Sequence, residues 1–455
     1  MKFISLNVDP TKDMMMSLAD GGDDSARTSE LNFTITSTLT QPLYLTQSAA
    51  NAVTVDWGDG STPDNPSDLA ASLSHEYAEA GNYTVKITVA EGETWTAGLT
   101  SGSDHYGIIG KYTTKSDTYP TLTSITFKDG AVLGDYAFTQ CTGLTSFTIP
   151  EGTTSVPQYA FYKCTGITSI TIPSGVTSIG IYAFYGCTSI TSVTIPSSVT
   201  TFGNYAFQSS GLTSVNITDI SAWCAITFTS TNNPLSVAKN LYLNGTLVTA
   251  LEIPSGVTSI GAYAFNGCTS ITSVTIPSSV TTFGNYAFQG CTGLTAVYIT
   301  DLSAWCGSSF LNNSSNPIYS AHILYLNGTL VTALEIPSGV TSIGIYAFYG
   351  CTSITSVTIG NSVTSIGSSA FNGCTSITSV TIGNSVTSID NQAFYMCKGL
   401  TSITSENTTP PTINNATFAG APAACSIYVP AASVDTYKAA QYWSERADYI
   451  QAISA

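Results

Sequence analysis

Charged residues are scarce in this chain. Only 9% of its 455 residues are Asp, Glu, Lys or Arg, against about a quarter in an average soluble domain. The basic ones are scarcest, because 12 Lys and Arg face 28 Asp and Glu and leave a formal net charge of −16. Binding to nucleic-acid phosphates or to anionic lipid needs clustered Lys or Arg. The sequence therefore predicts neither a nucleic-acid partner nor electrostatic attachment to a membrane.

Residues and motifs that usually act in catalysis or metal binding are also few. There are only three His residues, none of them has Cys or a second His at metal-ligand spacing, and no CxxC occurs. Phosphate-binding and nucleophile-elbow motifs are missing as well. Glu252 and Glu335 are a duplicated pair, but the predicted fold separates them by more than the roughly 5–10 Å of a glycosidase carboxylate pair. We predict no metal, no cofactor and no enzyme activity, with a glycan-active enzyme kept as the remaining alternative.

No run of 18 apolar residues occurs, so the sequence predicts no membrane-spanning helix. The start, MKFISLNVDPTKDMMM, lacks a convincing secretion signal because charged residues follow its short apolar stretch. Three accounts stay open: a signal removed beforehand, another export route, or a virion component. Residues 1 to 95 hold 14 Asp and Glu against 4 Lys and Arg, and residues 1–28 are predicted to be a flexible leader or attachment arm.

What the chain has in abundance is repetition. The stretch ITSVTIPSSVTTFGNYAFQSS, residues 190 to 210, recurs with a period of 23. An Ala-Phe pair marks each copy, with the Phe at 138, 161, 184, 207, 265, 288, 348, 371 and 394. Self-similarity at such a period is typical of a solenoid, in which each coil buries its apolar face against the next.

One repeat can be interpreted residue by residue. Val193 and Ile195 alternate with polar residues, which predicts a short strand with one buried face. Val199 and Phe202 return to the interior, and Gly203 is expected to allow a tight bend. Stacking then pairs each strand with the next at about 4.8 Å per coil.

The repeat, with its [LI]-T-S-[IV]-T-I-P strand and A-F-x-x-C ending, resembles the BspA-like leucine-rich repeats of bacterial and protozoan surface proteins. The resemblance covers about residues 121 to 405. It implies a leucine-rich-repeat solenoid and a surface location.

Eight of the eleven Cys occupy one repeat position. We interpret them as an inward packing ladder rather than as disulfides, because parallel side chains on neighbouring coils point alongside each other.

Residues 29–99 contain short alternating strands with Gly/Asp turns, which is typical of a β-sandwich. The segments Trp57-Gly58-Asp59-Gly60, His75-Glu76-Tyr77 and Gly81-Asn82-Tyr83 resemble the polycystic-kidney-disease (PKD) immunoglobulin-like domain. Asp56, Asp59 and Asp64 are expected to stabilise turns, with calcium binding as the alternative. His75 is expected to be structural.

Two longer units interrupt the array, with 58 residues from Phe207 to Phe265 and 60 from Phe288 to Phe348. Each contains LYLNGTLVTALEIP, whose Asn-Gly pair predicts a type I′ hairpin. Asp219 and Asp301 precede predicted helical turns that carry Trp223 and Trp305 over the core. Ser426–Pro430 is predicted as the last strand, and the helical spacing over Ala432–Trp443 predicts a capping helix.

The expected fold is mainly β: an N-terminal PKD/Ig-like sandwich, a solenoid of 23-residue coils and a C-terminal helical cap. The predicted boundaries are 1–28 for the leader, 29–99 for the sandwich, 100–120 for a junction, 121–405 for the solenoid with long units near 212–253 and 294–336, and 406–455 for the cap.

The predicted function is non-enzymatic adhesion or recognition of an extracellular protein through the solenoid, at a cell surface or on a virion. Carbohydrate binding is the alternative. Coil strands present a Ser/Thr face, and departures from it at Glu252, Tyr298 and Glu335 are candidate binding residues. A second candidate set consists of tyrosines that precede Ala-Phe, namely Tyr182, Tyr205, Tyr263 and Tyr286. Specificity is expected around residues 219–253 and 301–336, because loops on a rigid scaffold commonly carry recognition.

Overall fold

The structure is a computed structural model, and it describes residues 27–35, 40–101, 104–108, 110–111, 122–128, 131–230 and 232–454. The predicted leader lies outside the described residues apart from Arg27 and Thr28, and so does most of the predicted junction. The chain divides into two compact units. The first comprises the chain up to Asp219 with Thr229–Ala238 and Tyr242–Gly245, and the second comprises Ile220–Phe228, Lys239–Leu241 and everything from Thr246.

The first unit begins with two four-stranded sheets. Their strands and those of a small three-stranded sheet are β1 Thr28–Ile35, β2 Thr40–Gln47, β3 Val53–Asp56, β4 Ala70–Glu76, β5 Gly81–Val89, β6 Trp95–Ala97, β7 Leu99–Ser101, β8 Asp104–Gly107, β9 Gly110–Lys111, β10 Leu122–Thr126 and β11 Ala131–Val132. The sheet orders are β10-β1-β5-β3, β11-β6-β2-β4 and β7-β8-β9. Alternation sets the buried faces, since Leu31, Phe33, Val85 and Ile87 are all fully or nearly fully buried.

Strand β10 lies within the range 121–405 that was predicted for the solenoid, yet it pairs antiparallel with β1, with Leu31 opposite Ile125. The same strand also begins the coils, because the carbonyl of Thr123 accepts the N–H of Thr145 at 3.5 Å. One strand thus joins the sheet and the first coil, and the expected boundary at residue 121 runs beside a strand that belongs to both.

The repeats then add short strands and helices in chain order. They are β12 Ser146–Thr148, β13 Ser155–Val156, β14 Ser169–Thr171, β15 Ser178–Ile179, β16 Ser192–Ile195, β17 Thr201–Phe202, β18 Ser214–Ile217, α1 Ile220–Ala225, α2 Leu235–Ala238, β19 Asn240–Leu243 and β20 Thr246–Leu247. In the first unit β12, β14, β16 and β18 form parallel neighbours in one sheet, and β13, β15 and β17 form a second.

The second unit repeats this arrangement. Its further elements are β21 Ala250–Glu252, β22 Ser259–Ile260, β23 Ser273–Ile276, β24 Thr282–Phe283, β25 Ala296–Ile299, α3 Leu302–Cys306, β26 Ser309–Phe310, a 3-10 helix Asn313–Ser315, α4 Ile318–Ala321, β27 Leu324–Leu326, β28 Thr329–Leu330, β29 Ala333–Glu335, β30 Ser342–Ile343, β31 Ser356–Ile359, β32 Ser365–Ile366, β33 Ser379–Ile382, β34 Ser388–Ile389, β35 Ser402–Ser405 and β36 Ser426–Val429. Its larger sheets begin β21-β23-β25-β27-β28 and β29-β31-β33-β35-β36. All neighbours are parallel except β27 and β28.

Each coil closes as its apolar pattern predicts. Val193, Ile195, Val199 and Phe202 are buried. Gly203 is needed for a different reason from the predicted bend, because a Cβ there would clash with the backbone nitrogen of Ile181. Close approach of two backbones therefore requires the glycine at this position.

The eleven cysteines are free and buried. The Sγ of Cys187 donates to the carbonyl of Phe161 in the preceding coil at 3.0 Å, and that of Cys374 donates to Phe348 at 3.0 Å. Ser210, which replaces the cysteine in its coil, instead donates to Phe207 at 2.6 Å. The packing interpretation of the cysteines agrees with these contacts.

The C-terminal segment corrects two predictions. The capping helix is shorter than expected, since α5 spans Val434–Ala439 between 3-10 helices at Ala431–Ser433 and Ser444–Tyr449. Nor is β36 the last strand, because β37, Ile450–Ala452, follows and pairs parallel with it. The indole nitrogen of Trp443, which donates to the Pro411 carbonyl at 2.9 Å, fixes the chain beyond the helix.

Candidate functional site

The two long units form as predicted at their hairpins and helical turns. Asn327 and Gly328 both have positive φ, 48° and 80°, as a type I′ turn requires, and β27 pairs antiparallel with β28. Asp301 caps α3 by accepting the Ala304 N–H at 2.8 Å. The indole of Trp305 is buried and donates to the Ala347 carbonyl at 2.8 Å, which is the expected core cover.

Parallel register brings two of the predicted binding residues onto one sheet face. Glu252 lies opposite Thr275, and Thr275 lies opposite Tyr298. The hydroxyl of Thr275 donates to the Oε1 of Glu252 at 3.0 Å. We call these residues, with Tyr325, the β21–β27 row.

Tyr325 belongs to the row although the sequence interpretation missed it. It lies opposite Tyr298 on β27, and the two rings stack with centroids 4.7 Å apart and an interplanar angle of 21°. The alternation in LYL indicated that this tyrosine faces outward. That β27 pairs with β25 could not be deduced, because the pairing depends on how the long loop between them folds.

Glu335 does not join this row. It lies on β29, the first strand of a different sheet, opposite Thr358 and then Thr381. Its neighbour Thr358 corresponds to Thr275, but among the described residues Thr358 makes no hydrogen bond to Glu335, and Thr381 rather than a tyrosine lies two strands away.

The tyrosines before Ala-Phe form stacked rows. Tyr182 stacks on Tyr159 at 4.9 Å and on Tyr205 at 5.0 Å, both at 22°. Tyr263 and Tyr286 have centroids 5.0 Å apart at 36°. Both faces of the Tyr182 ring are therefore covered by other rings, which leaves no free ring face on which a sugar could stack.

These tyrosines adopt a left-handed backbone conformation. Tyr182 has φ 55° and Tyr205 has φ 61°, which costs an L-residue about 1–2 kcal/mol. The turn aims the Tyr182 N–H at the Asn204 carbonyl of the next coil, at 3.0 Å. Burial and then the neighbouring Tyr205 ring raise the pKa of Tyr182.

A second aromatic cluster lies in the N-terminal sheets. His75 stacks on Trp57 at 4.9 Å, and its Nε2 lies 2.7 Å from the Oδ2 of Asp59. Hydrogen bonds from Ser61 and then from His75 hold the pKa of Asp59 well below its ordinary value. Asp64 accepts from the Trp57 indole at 2.7 Å. These carboxylates hold turns, as expected, and within the described residues no group of three or more His, Cys, Asp or Glu side chains could hold a metal ion.

His322 also has a structural role. His322 ends α4 with φ 62°, and its Nδ1 lies 3.0 Å from the Gly350 carbonyl oxygen. Of the helices that the structure describes, none is long and apolar enough to cross a membrane.

Comparison with solved structures finds two leucine-rich proteins and a vaccine antigen. A leucine-rich repeat protein from Bacteroides ovatus is 22% identical over 78% of this chain and 100% of its own, with a TM-score of 0.33. A leucine-rich cell surface protein from Faecalibacterium prausnitzii is 28% identical over 55% of this chain and 63% of its own, with a TM-score of 0.28. The pneumococcal vaccine antigen PcpA is 17% identical over 72% and 73%, with a TM-score of 0.34.

No curated protein matches the chain at a significant level. A family model, the BspA type leucine-rich repeat region, matches in six copies over residues 108–234, 235–324 and 320–443. These ranges include every strand of the repeats and both long units. The chain therefore belongs to the BspA type leucine-rich repeat family.

Proposed function

We propose that this protein is a non-enzymatic recognition or adhesion protein that binds an extracellular partner through an exposed solenoid sheet. The observation that carries the proposal is the β21–β27 row, where a carboxylate and two stacked aromatic rings interrupt a plain Ser/Thr face. Aromatic residues on a rigid scaffold are common anchors of protein interfaces.

The same proposal places the protein at a cell surface, in keeping with its family. Nothing in the comparisons favours the virion alternative. We also propose that 23 residues is the coil length. We further propose that the N-terminal sheets form a PKD-like, immunoglobulin-like domain that spaces the repeats from an attachment point. The support for the PKD-like domain is the pair of four-stranded sheets, in which His75 on β4 contacts Trp57 and Asp59 in the segment that follows β3.

Carbohydrate binding is the second candidate. The observation that favours it is the row of stacked tyrosines at 4.7 to 5.0 Å from Tyr136 to Tyr205. Since the inner ring faces are covered, a glycan would have to contact ring edges and phenol hydroxyl groups. A glycan array with Tyr182→Phe as the variant tests this candidate.

The test of recognition is a pull-down from mucus or cell extract with the whole chain as bait. Replacing Glu252, Tyr298 and Glu335 together with Thr restores the background face, and we expect the captured partner to be lost. A matched triple variant on the plain face, Thr148→Ala, Thr171→Ala and Thr381→Ala, should retain it. Equal capture by both variants, with both still folded, would remove the strand face from the proposal.

A further inference from the structure

We propose that the β21–β27 row binds a guanidinium or ammonium group of a basic segment on the partner protein. The cation would lie over Thr275, between the Glu252 carboxylate and the ring of Tyr298. This inference rests on the proposed recognition function and names the chemistry of the partner at that sheet face.

The carboxylate at one end of the site has an unsatisfied charge. Glu252 is exposed, and the hydrogen bond from Thr275 to its Oε1 orients the group while leaving Oε2 without a partner in the described structure. Among the residues that the structure describes, Glu252 takes part in no ion pair. No Lys or Arg of the described chain therefore neutralises Glu252.

The aromatic ring at the other end has one available face. Tyr325 covers one side of the Tyr298 ring at 4.7 Å. Because the row runs across neighbouring strands, the opposite side of the ring points over Thr275, whose small side chain leaves space there. Both tyrosines are partly exposed.

The dimensions suit a cation. Glu252 and Tyr298 lie two strand intervals apart, which is about 9.5 Å at the usual spacing. A cation interacts with an aromatic face within about 6 Å of the ring centroid, and an ion pair forms within about 4 Å. One guanidinium group can satisfy both distances at once.

Charge decides between a basic peptide and a neutral sugar. The second unit, to which the row belongs, holds eight Asp and Glu against four Lys and Arg, and an acidic surface attracts cationic partners and accelerates their association. A sugar could also occupy the face of Tyr298, but it would gain nothing from this charge. The basic peptide is therefore the occupant that the observations favour.

The molecule supplies its own control. Glu335 occupies the same ALEIP sequence as Glu252 and faces Thr358 on the next strand, as Glu252 faces Thr275. Two strands away from Glu335, the register position is occupied by Thr381 rather than by a tyrosine. Glu252→Gln and Glu335→Gln remove the same charge, but only the first removes it beside an aromatic ring.

The experiment measures equilibrium binding of a synthetic peptide of alternating Gly, Ser and Arg to the immobilised whole chain by surface plasmon resonance. A peptide with Gln in place of Arg is the neutral control, and a neutral glycan array is run in parallel. We expect Glu252→Gln and Tyr298→Thr each to weaken binding about threefold, the range of one exposed ion pair or cation–π contact. Glu335→Gln, which removes the same charge on a different sheet, should weaken binding less than Glu252→Gln, and Tyr298→Phe, which keeps the aromatic ring, should weaken it less than Tyr298→Thr. Raising the salt from about 0.02 M to about 0.3 M should weaken binding.

Equal weakening by Glu252→Gln and Glu335→Gln would show diffuse attraction to an acidic surface and would overturn the proposal. Neutral-glycan binding that Tyr298→Thr abolishes would overturn it in favour of a sugar. Unchanged thermal unfolding of each variant shows that it is folded. Recognition itself is judged separately by the triple variants in the pull-down, so it can stand when the cation site fails.

Discussion

At the scale of single residues, the structure explains how the coils of a charge-poor sequence are held together by neutral side chains. Threonines at the coil corners donate to the preceding coil, as Thr200 does to the Thr177 carbonyl at 3.3 Å and Thr378 to Thr355 at 3.1 Å. Dehydration costs little free energy for neutral side chains that hydrogen-bond to backbone carbonyls, whereas charges of one sign stacked on successive coils would repel each other. Ser and Thr thus replace charged residues at repeated positions.

The cysteines give the first prediction. Burial raises the pKa of Cys187 to about 12 and that of Cys397 to about 12, so at neutral pH both remain thiols. Native protein should be inert to a thiol reagent, and denatured protein should titrate eleven thiols. Reductant should leave the melting temperature unchanged. A clear drop in melting temperature on reduction, or fewer thiols in denaturant, would show disulfides instead.

Asp59 gives a pH prediction. Its pKa is lowered in the folded protein from an ordinary 3.8, so its stabilising contribution is complete above that value and is lost as the pH falls towards the folded pKa. Asp59→Asn should therefore accelerate hydrogen exchange in residues 53–76 more at about pH 6 than at about pH 3. The side chain of Asp68 makes no hydrogen bond with the described residues, so Asp68→Asn serves as control. An effect of Asp59→Asn that did not shrink at low pH would contradict this.

At the scale of elements, the left-handed turn of each coil and the stacked tyrosines that occupy it make opposing contributions to the free energy of folding. The left-handed position that holds Tyr182 is occupied by Ser369 and Gln392 in later coils, with φ 56° and 59°. The backbone turn therefore does not require a ring. Stacking on neighbouring tyrosines offsets the strain where tyrosine is present.

The turn can be tested with two substitutions at one site. Tyr182→Ala and Tyr182→Gly lose the same stacking, but glycine relieves the positive φ, so Tyr182→Gly should be more stable by about 1 kcal/mol in denaturant unfolding. At exposed Thr194, in the ordinary strand β16, the order should reverse, with Ala better than Gly by about 0.5–1 kcal/mol. Equal stabilities at residue 182 would contradict the assigned turn.

At the scale of the whole molecule, stability is distributed along the coils. In the first unit, Phe184 is fully buried and stacks on Phe161 at 5.2 Å and on Phe207 at 5.0 Å. Its main-chain N–H donates to the Ala206 carbonyl at 2.8 Å. A coil therefore depends mainly on its two neighbours.

Phe184→Ala should cost about 3–5 kcal/mol, as for other deleted buried aromatics. Hydrogen exchange should accelerate around residues 161, 184 and 207 and much less around Phe138, which lies one coil further away. Exposed Thr194→Ala should leave all four regions unchanged. Uniform acceleration across these coils would mean that the array unfolds as one cooperative body.

The sequence by itself determined the repeat family, the inward Phe and Cys positions, the hairpin turns and the Asp301 cap, because periodicity and local turn chemistry act within one coil. The sequence did not reveal that β10 pairs with β1, that α5 ends at Ala439 before β37, or that Tyr325 joins Tyr298. Each of these depends on which strands become neighbours after loops of unknown path have closed. Tertiary structure also placed Glu252 and Glu335 at the starts of two different sheets, although their local sequences are identical. The sequence therefore identified candidate binding residues one at a time, whereas the parallel register of the strands brought Glu252, Tyr298 and Tyr325 onto one sheet face.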